Sequence, residues 1–449
     1  MNDIVTFLDK NQQVILDELT EFCKIPSVAA KGDHEVMEKT ASWVANALEK
    51  IGLETQIHET KGLPVVTGHL DIGSDKTLLF YNHYDVQPAE PFELWESPPF
   101  EPTIRNKRIF ARGVSDNKGN TLSRIWAVRA FTETSSELPV NIKFVVEGEE
   151  EIGSLNLPKF VNKNREFLKA DGGIWEFGGA GPDGRQEAWL GLKGILYVQF
   201  ETQKLGRDAH SGYGCILPNA AWHLIWAINT LKDQNEQIQI DGFYDDVKPL
   251  SNSELEFIQN TELFPEHIKE QFQIPNLIYD LKGIELKKAY YNAPTCTICG
   301  ISSGWQGPGS KTVIPAEASA KVDFRLVSDQ DPDDILSKLR QYLDTKGFND
   351  VTIPWHEGYP AAKTPISHPF IDVVKRATQA VFGQELRIHI TSAGSGPLYL
   401  FKDLVPMVSV GCADFDSRGH APNESVSLDL FFLDIKRQAA IFEEMGRRG

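Results

Sequence analysis

The chain is short of cysteine, of basic residues and of long apolar runs. Five cysteines in 449 residues, Cys23, Cys215, Cys296, Cys299 and Cys412, are too few and too scattered for a disulfide framework, so reduced thiols are expected. Cys296 and Cys299 have CxxC spacing, but TCTICGIS is rich in branched residues and predicts a strand, where positions i and i+3 face opposite ways; they receive no redox or metal role. Lys and Arg number 45 against 63 Asp and Glu. The resulting charge of -18 repels a phosphate backbone and anionic lipid alike, which argues against nucleic acid and membrane surfaces as partners. No apolar run approaches the roughly 18 residues that span a bilayer. The opening MNDIVTFLDKNQQVILDELTEF reads as an acidic amphipathic helix rather than a signal peptide, so a cytoplasmic protein is expected.

Single cores rarely grow beyond about 250 to 300 residues, so a chain of this length predicts two domains. Amphipathic helices near 3–23 and 35–51, the second closed by Gly52, alternate with apolar strands around Val65, Leu78 to Tyr81 and Ile142 to Val146. That rhythm predicts a layered α/β core. From about 191 it changes to strand GILYVQFET, helix NAAWHLIWAINTLKD, strand TCTICGI, strand SAKVDFRLVS, helix PDDILSKLRQYLDTKG and strand VTIPWHE. The order βαββαβ is that of a ferredoxin-like unit. Asp331, Pro332 and Gly347 mark its second helix as cap, first turn and stop. A polar stretch, 234–293, interrupts the unit with weaker helical patterns, and the α/β rhythm returns after about 361. The expected organisation is a discontinuous three-layer catalytic domain, 1–190 plus 361–449, with 191–360 inserted as a smaller domain.

Several apolar strands end on a His or a carboxylate. TLLFYNHYD ends on His83 and Asp85; NIKFVVEGEEEIGS runs into Glu147, Glu149, Glu150 and Glu151; ADGGIWEFGG places Glu176 after a strand; and VPMVSVGCADFDSRGHAPNE carries His420 in the loop beyond one. Asp116, in RGVSDNKGN, precedes a helix. Each piece has an ordinary reading: a hydrogen-bonded structural His, a helix N-cap at Asp116, a solvated acidic loop. Carboxyl ends of α/β strands are nevertheless where ligands bind, and clustered acids repel one another unless a cation compensates.

In this order, HxD, a GxxDxKG-like segment, EExGS, a lone acid and HxxNE, the chain resembles the metallopeptidase family of carnosinase, carboxypeptidase G, aminoacylase and succinyl-diaminopimelate desuccinylase, over nearly its whole length. The resemblance implies two zinc ions, with manganese or cobalt as substitutes. His83, Asp116 and Glu176 would hold one, Asp116, Glu151 and His420 the other, with Asp116 bridging. It implies Glu150 as general base and Asp85 as the residue orienting His83. The inserted unit falls where that family carries its lid and dimerisation domain, so a homodimer is expected, with His210 of DAHSGYG reaching substrate, usually across the dimer. Arg325, with Gly394 and Ser395 of SAGSGP, would hold a substrate carboxylate. One departure is that the spacing from Asp171 to Glu176 is slightly shorter than in carnosinase-like sequences. The expected reaction is hydrolysis of an amide in a dipeptide. The alternatives are an N-acyl amino acid deacylase and a catalytically silent binding protein on the same fold. The stretch GWQGPGSKT looks like a phosphate-binding loop, but Ser310 breaks the GK[ST] order and nucleotide binding is set aside.

Overall fold

A computed structural model describes residues 1–134 and 136–447. Its main sheet has ten strands in the order Glu54–His58, Val65–Leu70, Asn141–Glu147, Thr77–His83, Gly172–Trp175, Met407–Ser409, Gln186–Trp189, Gly179–Ala180 and Ala413–Asp414, with Arg387–His389 beside Gln186–Trp189. Asn141–Glu147, Thr77–His83, Gly172–Trp175 and Met407–Ser409 are neighbours and run parallel, so their carboxyl ends meet at one edge. Such strands are covered on both faces and read as continuous apolar runs. Alternation then assigns the layers. Leu78 and Phe80 pack with helices His34–Glu49, Lys118–Thr132, Pro369–Phe382 and Leu428–Gly446, whereas Leu79 and Tyr81 pack with helix Leu157–Lys163 and the turn Pro397–Leu400. The result is the expected three-layer arrangement.

The single N-terminal helix expected over 3–23 is instead two, Asn2–Lys10 and Gln12–Cys23. Asn11 interrupts it by donating its side-chain amide to Phe7 O at 2.8 Å, a local bond that competes with the helical ladder.

Residues Gly194–Gln203, Thr295–Ser303, Glu317–Leu326 and Thr352–Tyr359 form a separate antiparallel sheet ordered second, third, first, fourth. Helices Ala220–Asn229 and Pro332–Thr345 cover one face, where Ala320, Val322, Phe324 and Leu326 are buried in a core of their own. Asp331 caps the second helix by accepting from Asp333 N and Asp334 N, and Gly347 closes it at φ +84°. The chain passes between the two sheets where Gly191–Leu192 pairs with Ala362–Lys363. The 234–293 stretch contains helices Asn252–Gln259, Pro265–Phe272 and Gly283–Asn292. It leans on the main body, where Ile258 and Tyr291 pack with Ile390 and the Tyr291 hydroxyl lies 2.6 Å from His389 Nδ1. Among the described residues, no helix is long and apolar enough to cross a membrane.

Candidate metal centre

The parallel strand ends and two loops bring six titratable side chains together. His83, at the end of Thr77–His83, is fully buried, and its Nδ1 lies 3.1 Å from Asp85 O and 3.3 Å from Asp85 Oδ1. That pairing points Nε2 at Asp116 Oδ1, 3.0 Å away, and at Glu176 Oε2, 3.4 Å away. The other oxygen of Asp116 faces a second imidazole. Asp116 Oδ2 is 2.9 Å from His420 Nε2, which is also 3.2 Å from Glu151 Oε2. One carboxylate therefore stands between two histidines, each accompanied by a further carboxylate. Donors bound tetrahedrally to one ion at about 2.0 to 2.1 Å lie about 3.3 Å apart, close to these separations.

The supporting structure explains the spacing. Asp116 is not the helix cap that its position allowed; Asn117 occupies that place, without a side-chain capping bond. The loop before Asp116 is held by buried Glu424, which accepts from Gly113 N at 2.9 Å, Ser115 N at 2.8 Å and Asp116 N at 3.1 Å, and pairs with Arg112 Nη1 at 2.7 Å. Glu150 and Glu151 sit on a short turn closed by Gly153 at φ +92°, a conformation that suits glycine. The turn hangs from Asp85, which accepts from Glu150 N at 3.3 Å and Glu151 N at 2.9 Å, and Gln87 donates to Glu151 Oε2 at 2.9 Å. Glu149 points away, accepting from Leu63 N at 3.0 Å and Asn156 N at 3.1 Å. Glu147 also leaves the cluster, bonded by Tyr81 and Ser154.

Glu150 has a different status. A carboxylate oxygen lies within 4.8 Å of ligand atoms of His83 and Glu176, yet among the described residues its side chain makes no hydrogen bond. Burial, reinforced by Glu176, pushes its carboxyl well above the usual range. Burial also drives Glu176 up to about 8, against the pull of His83 and with Asp116 and Glu151 adding repulsion. Asp116 resists burial because hydrogen bonds from His420 and His83 hold it well below the ordinary carboxylate range. His83 is raised despite its burial, by Asp116 and Asp85, and His420 is raised to about 10 by its bonds to Asp116 and Glu151. Glu151 Oε1 and Glu176 Oε2 are buried without a hydrogen-bond partner among the described residues. Unpartnered buried carboxylate oxygens beside neutralisable imidazoles fit a site for divalent cations.

Arg325 lies off this cluster, donating to Ser395 Oγ at 2.7 Å, while Ser395 Oγ donates to Gly194 O at 3.1 Å. The Gly394 amide donates to Ser392 Oγ at 3.1 Å in a local turn. His210 stands apart and exposed; its ring accepts from Gly212 N at 3.0 Å and lies 3.3 Å from Thr312 Oγ1. A cavity of about 470 Å³ reaches Ser115 and Asp116 and is walled by Phe177, Trp189, Tyr290 and Phe415. Sequence reading passed over Gln87, Arg124 and Glu424. Of these only Glu424 carried a signal, as the last residue of HxxNE.

The family model for Peptidase family M20/M25/M40 matches residues 79–445. The chain belongs to this family. As a member it is a metallopeptidase-type hydrolase, and the cluster described above is its candidate metal centre. It is 26% identical to human Beta-Ala-His dipeptidase, over 100% of this chain and 93% of that relative. It is 29% identical to Cys-Gly metallodipeptidase dug1 of Schizosaccharomyces pombe, over 97% and 96% of the two chains. Among solved structures, the M20 family metallo-carboxypeptidase Sso-CP2 from Sulfolobus solfataricus superposes with a TM-score of 0.91 at 36% identity, covering 96% of this chain and 99% of that one. Human carnosine dipeptidase 1 gives a TM-score of 0.86 at 26% identity, with 99% and 98% covered. Catalytic and inserted units of this family's kind are thus present, as expected from the βαββαβ pattern.

Proposed function

We propose that the chain is a dinuclear metallodipeptidase in which His83, Asp116 and Glu176 hold one divalent ion and Asp116, Glu151 and His420 the other. The observation that carries this reading is Asp116, whose two oxygens face two different histidines at 3.0 and 2.9 Å. Zinc is the natural occupant of a His and carboxylate set, and manganese or cobalt also suit it. When bound, such a pair polarises the scissile carbonyl and lowers the pKa of an attacking water.

The remaining chemistry belongs to this chain's own residues. Glu150 lies beside the ligands with no side-chain hydrogen bond among the described residues; divalent cations beside it would offset the burial and the Glu176 charge that raise its carboxyl, leaving it as a carboxylate able to act as base. It takes a proton from the attacking water and hands it to the leaving amine nitrogen. Asp85 aligns His83 and fixes the Glu150–Glu151 turn. Arg325, with Ser395 beside it, binds the carboxylate end of the substrate; Gly394 contributes the shape of the loop, since its amide is engaged. The aromatic cavity takes the other residue of the dipeptide. The names of the relatives favour a dipeptide over an N-acyl amino acid.

The division into 1–190 plus 361–449 and 191–360 belongs to the same reading, supported by the two separate sheets and cores. So does a homodimer. Trp222, Ile225 and Trp226 are exposed together on helix Ala220–Asn229, the spacing of one helical face. Such a face suits a second copy, from which His210 would reach the partner's substrate. A cytoplasmic location is supported by five free cysteines. The test is metal-dependent hydrolysis of a dipeptide panel, with His210→Ala and Glu150→Gln chains mixed. Recovery of activity supports action across a dimer. Absence of hydrolysis by metal-replete wild-type chain overturns the reading.

A further inference from the structure

Beneath the metal cluster lies a charged residue that the proposed chemistry does not use. Arg124, on helix Lys118–Thr132, is fully buried. Its guanidinium sits under the carboxyl ends of three neighbouring parallel strands. Nη1 donates to Tyr81 O and to Asn82 Oδ1, both at 2.7 Å. Nη2 donates to Trp175 O at 2.6 Å, Glu176 O at 3.0 Å and Val410 O at 3.4 Å. Asn82 passes the network on to Asn117 Oδ1, and Asn117 Nδ2 donates back to Glu176 O at 2.8 Å. Both asparagines are fully buried.

Burying a guanidinium is expensive unless its donors are satisfied, and four of the five are engaged here; only Nε lacks a partner among the described residues. The acceptors are mostly main-chain carbonyls rather than an acid. The net effect is to fix backbone positions at the strand ends. Those positions are not arbitrary. Asn82 precedes His83, Asn117 follows Asp116, and the Glu176 carbonyl belongs to a proposed ligand itself. These are the three ligands of one ion. The Glu151 turn is held through Asp85 and Gln87, and Glu424 ties the loop carrying His420 to Arg112 and to the backbone of Asp116, which the two ions share; among the described residues Arg124 donates to neither the Glu151 turn nor the His420 loop.

We infer that Arg124, through Asn82 and Asn117, is a positioning residue that sets the affinity of the His83–Asp116–Glu176 ion selectively over that of the Asp116–Glu151–His420 ion. The inference rests on the two-ion reading above. Lysine in its place keeps a positive charge but offers a single, shorter ammonium, which cannot reach acceptors on three strands at once. Loss of a group supporting metal ligands typically weakens binding by about 10- to 100-fold.

The test is titration of chelator-stripped full-length chain with Co2+, read by visible absorbance and by competition with a chromophoric chelator. Wild type should bind two ions. Arg124→Lys should bind one as wild type does and the other about 10- to 100-fold more weakly. The double variant Arg124→Lys with His420→Ala should then hold neither tightly, whereas Arg124→Lys with His83→Ala should behave as His83→Ala alone. Far-UV circular dichroism and thermal melting check that the chain folds. Should Arg124→Lys fail to fold, Asn82→Ala serves instead, because it breaks the link from Arg124 to Asn117 with a smaller change in the core, and the same selective loss is expected. Equal weakening of both ions, or none, with two ions in wild type, overturns the inference alone. A single ion in wild type overturns the two-ion reading and the selectivity with it.

Discussion

Replacing Glu150 by Gln separates base from ligand more cleanly than any other change at this site. The side chain keeps its shape and loses only its capacity to carry a proton. Positioned proton transfer is worth about 10²- to 10⁴-fold. At about 1.36 kcal/mol per decade, a fall of that size in kcat corresponds to about 2.7 to 5.4 kcal/mol of barrier. Metal content should not change, because Asp116, Glu151, Glu176 and the histidines form the closest contacts of the cluster. Stability of the metal-free chain should not fall either, since burial and Glu176 already favour the uncharged form of Glu150 and the amide is uncharged at every pH. The assay is steady-state dipeptide hydrolysis beside metal analysis by mass spectrometry and a thermal melt. Two ions with collapsed turnover are expected. Loss of an ion would make Glu150 a ligand, and turnover within a few fold of wild type would remove it as the base.

Further outcomes follow from the same geometry. Glu424→Gln leaves buried Arg112 without its counter-charge and should cost about 3 to 5 kcal/mol, read as a lower melting temperature and weaker metal binding. Arg325→Lys keeps the charge but loses the planar fork, so KM for dipeptides should rise with kcat less affected, and a rise for a substrate lacking the terminal carboxylate would contradict the assignment. The chelator-stripped chain should become less stable as pH rises. Glu176 holds its proton in the folded state up to about 8 but releases it near 4.5 when unfolded, and His420 holds its own up to about 10 against about 6.5. In both intervals the folded chain binds more protons, so melting temperature should fall from pH 5 toward pH 10. A metal-free chain that gains stability over that interval would refute the cause assigned to these shifts.

That His83, Asp116, Glu151, Glu176 and His420 come together was legible because four of them follow or precede a strand or helix end within a short motif, while His420 falls in a motif of the loop after Ala413–Asp414. The roles within Glu149, Glu150 and Glu151 were less so. Three adjacent acids look alike in sequence, and only the hydrogen bonds that Asp85 accepts from Glu150 N and Glu151 N, and that Glu149 accepts from Leu63 and Asn156, distinguish their placement. Arg124 left no trace. Helix Lys118–Thr132 is buried nearly all round, so no polar stripe distinguishes an inward arginine from an outward one. Glu424 acts on a loop 308 to 312 residues earlier in the chain, a distance no local pattern encodes. The break at Asn11 was hidden for the opposite reason, since one side-chain bond to Phe7 interrupts a periodicity that otherwise continues.

The bridging role of Asp116 is best tested by anomalous diffraction at the zinc edge from crystals of the full chain grown with zinc. Two peaks about 3.5 to 4 Å apart are expected, one between His83 and Glu176, the other between Glu151 and His420, with one oxygen of Asp116 directed at each. A single peak, or two ions that share no Asp116 carboxylate, would contradict the dinuclear centre.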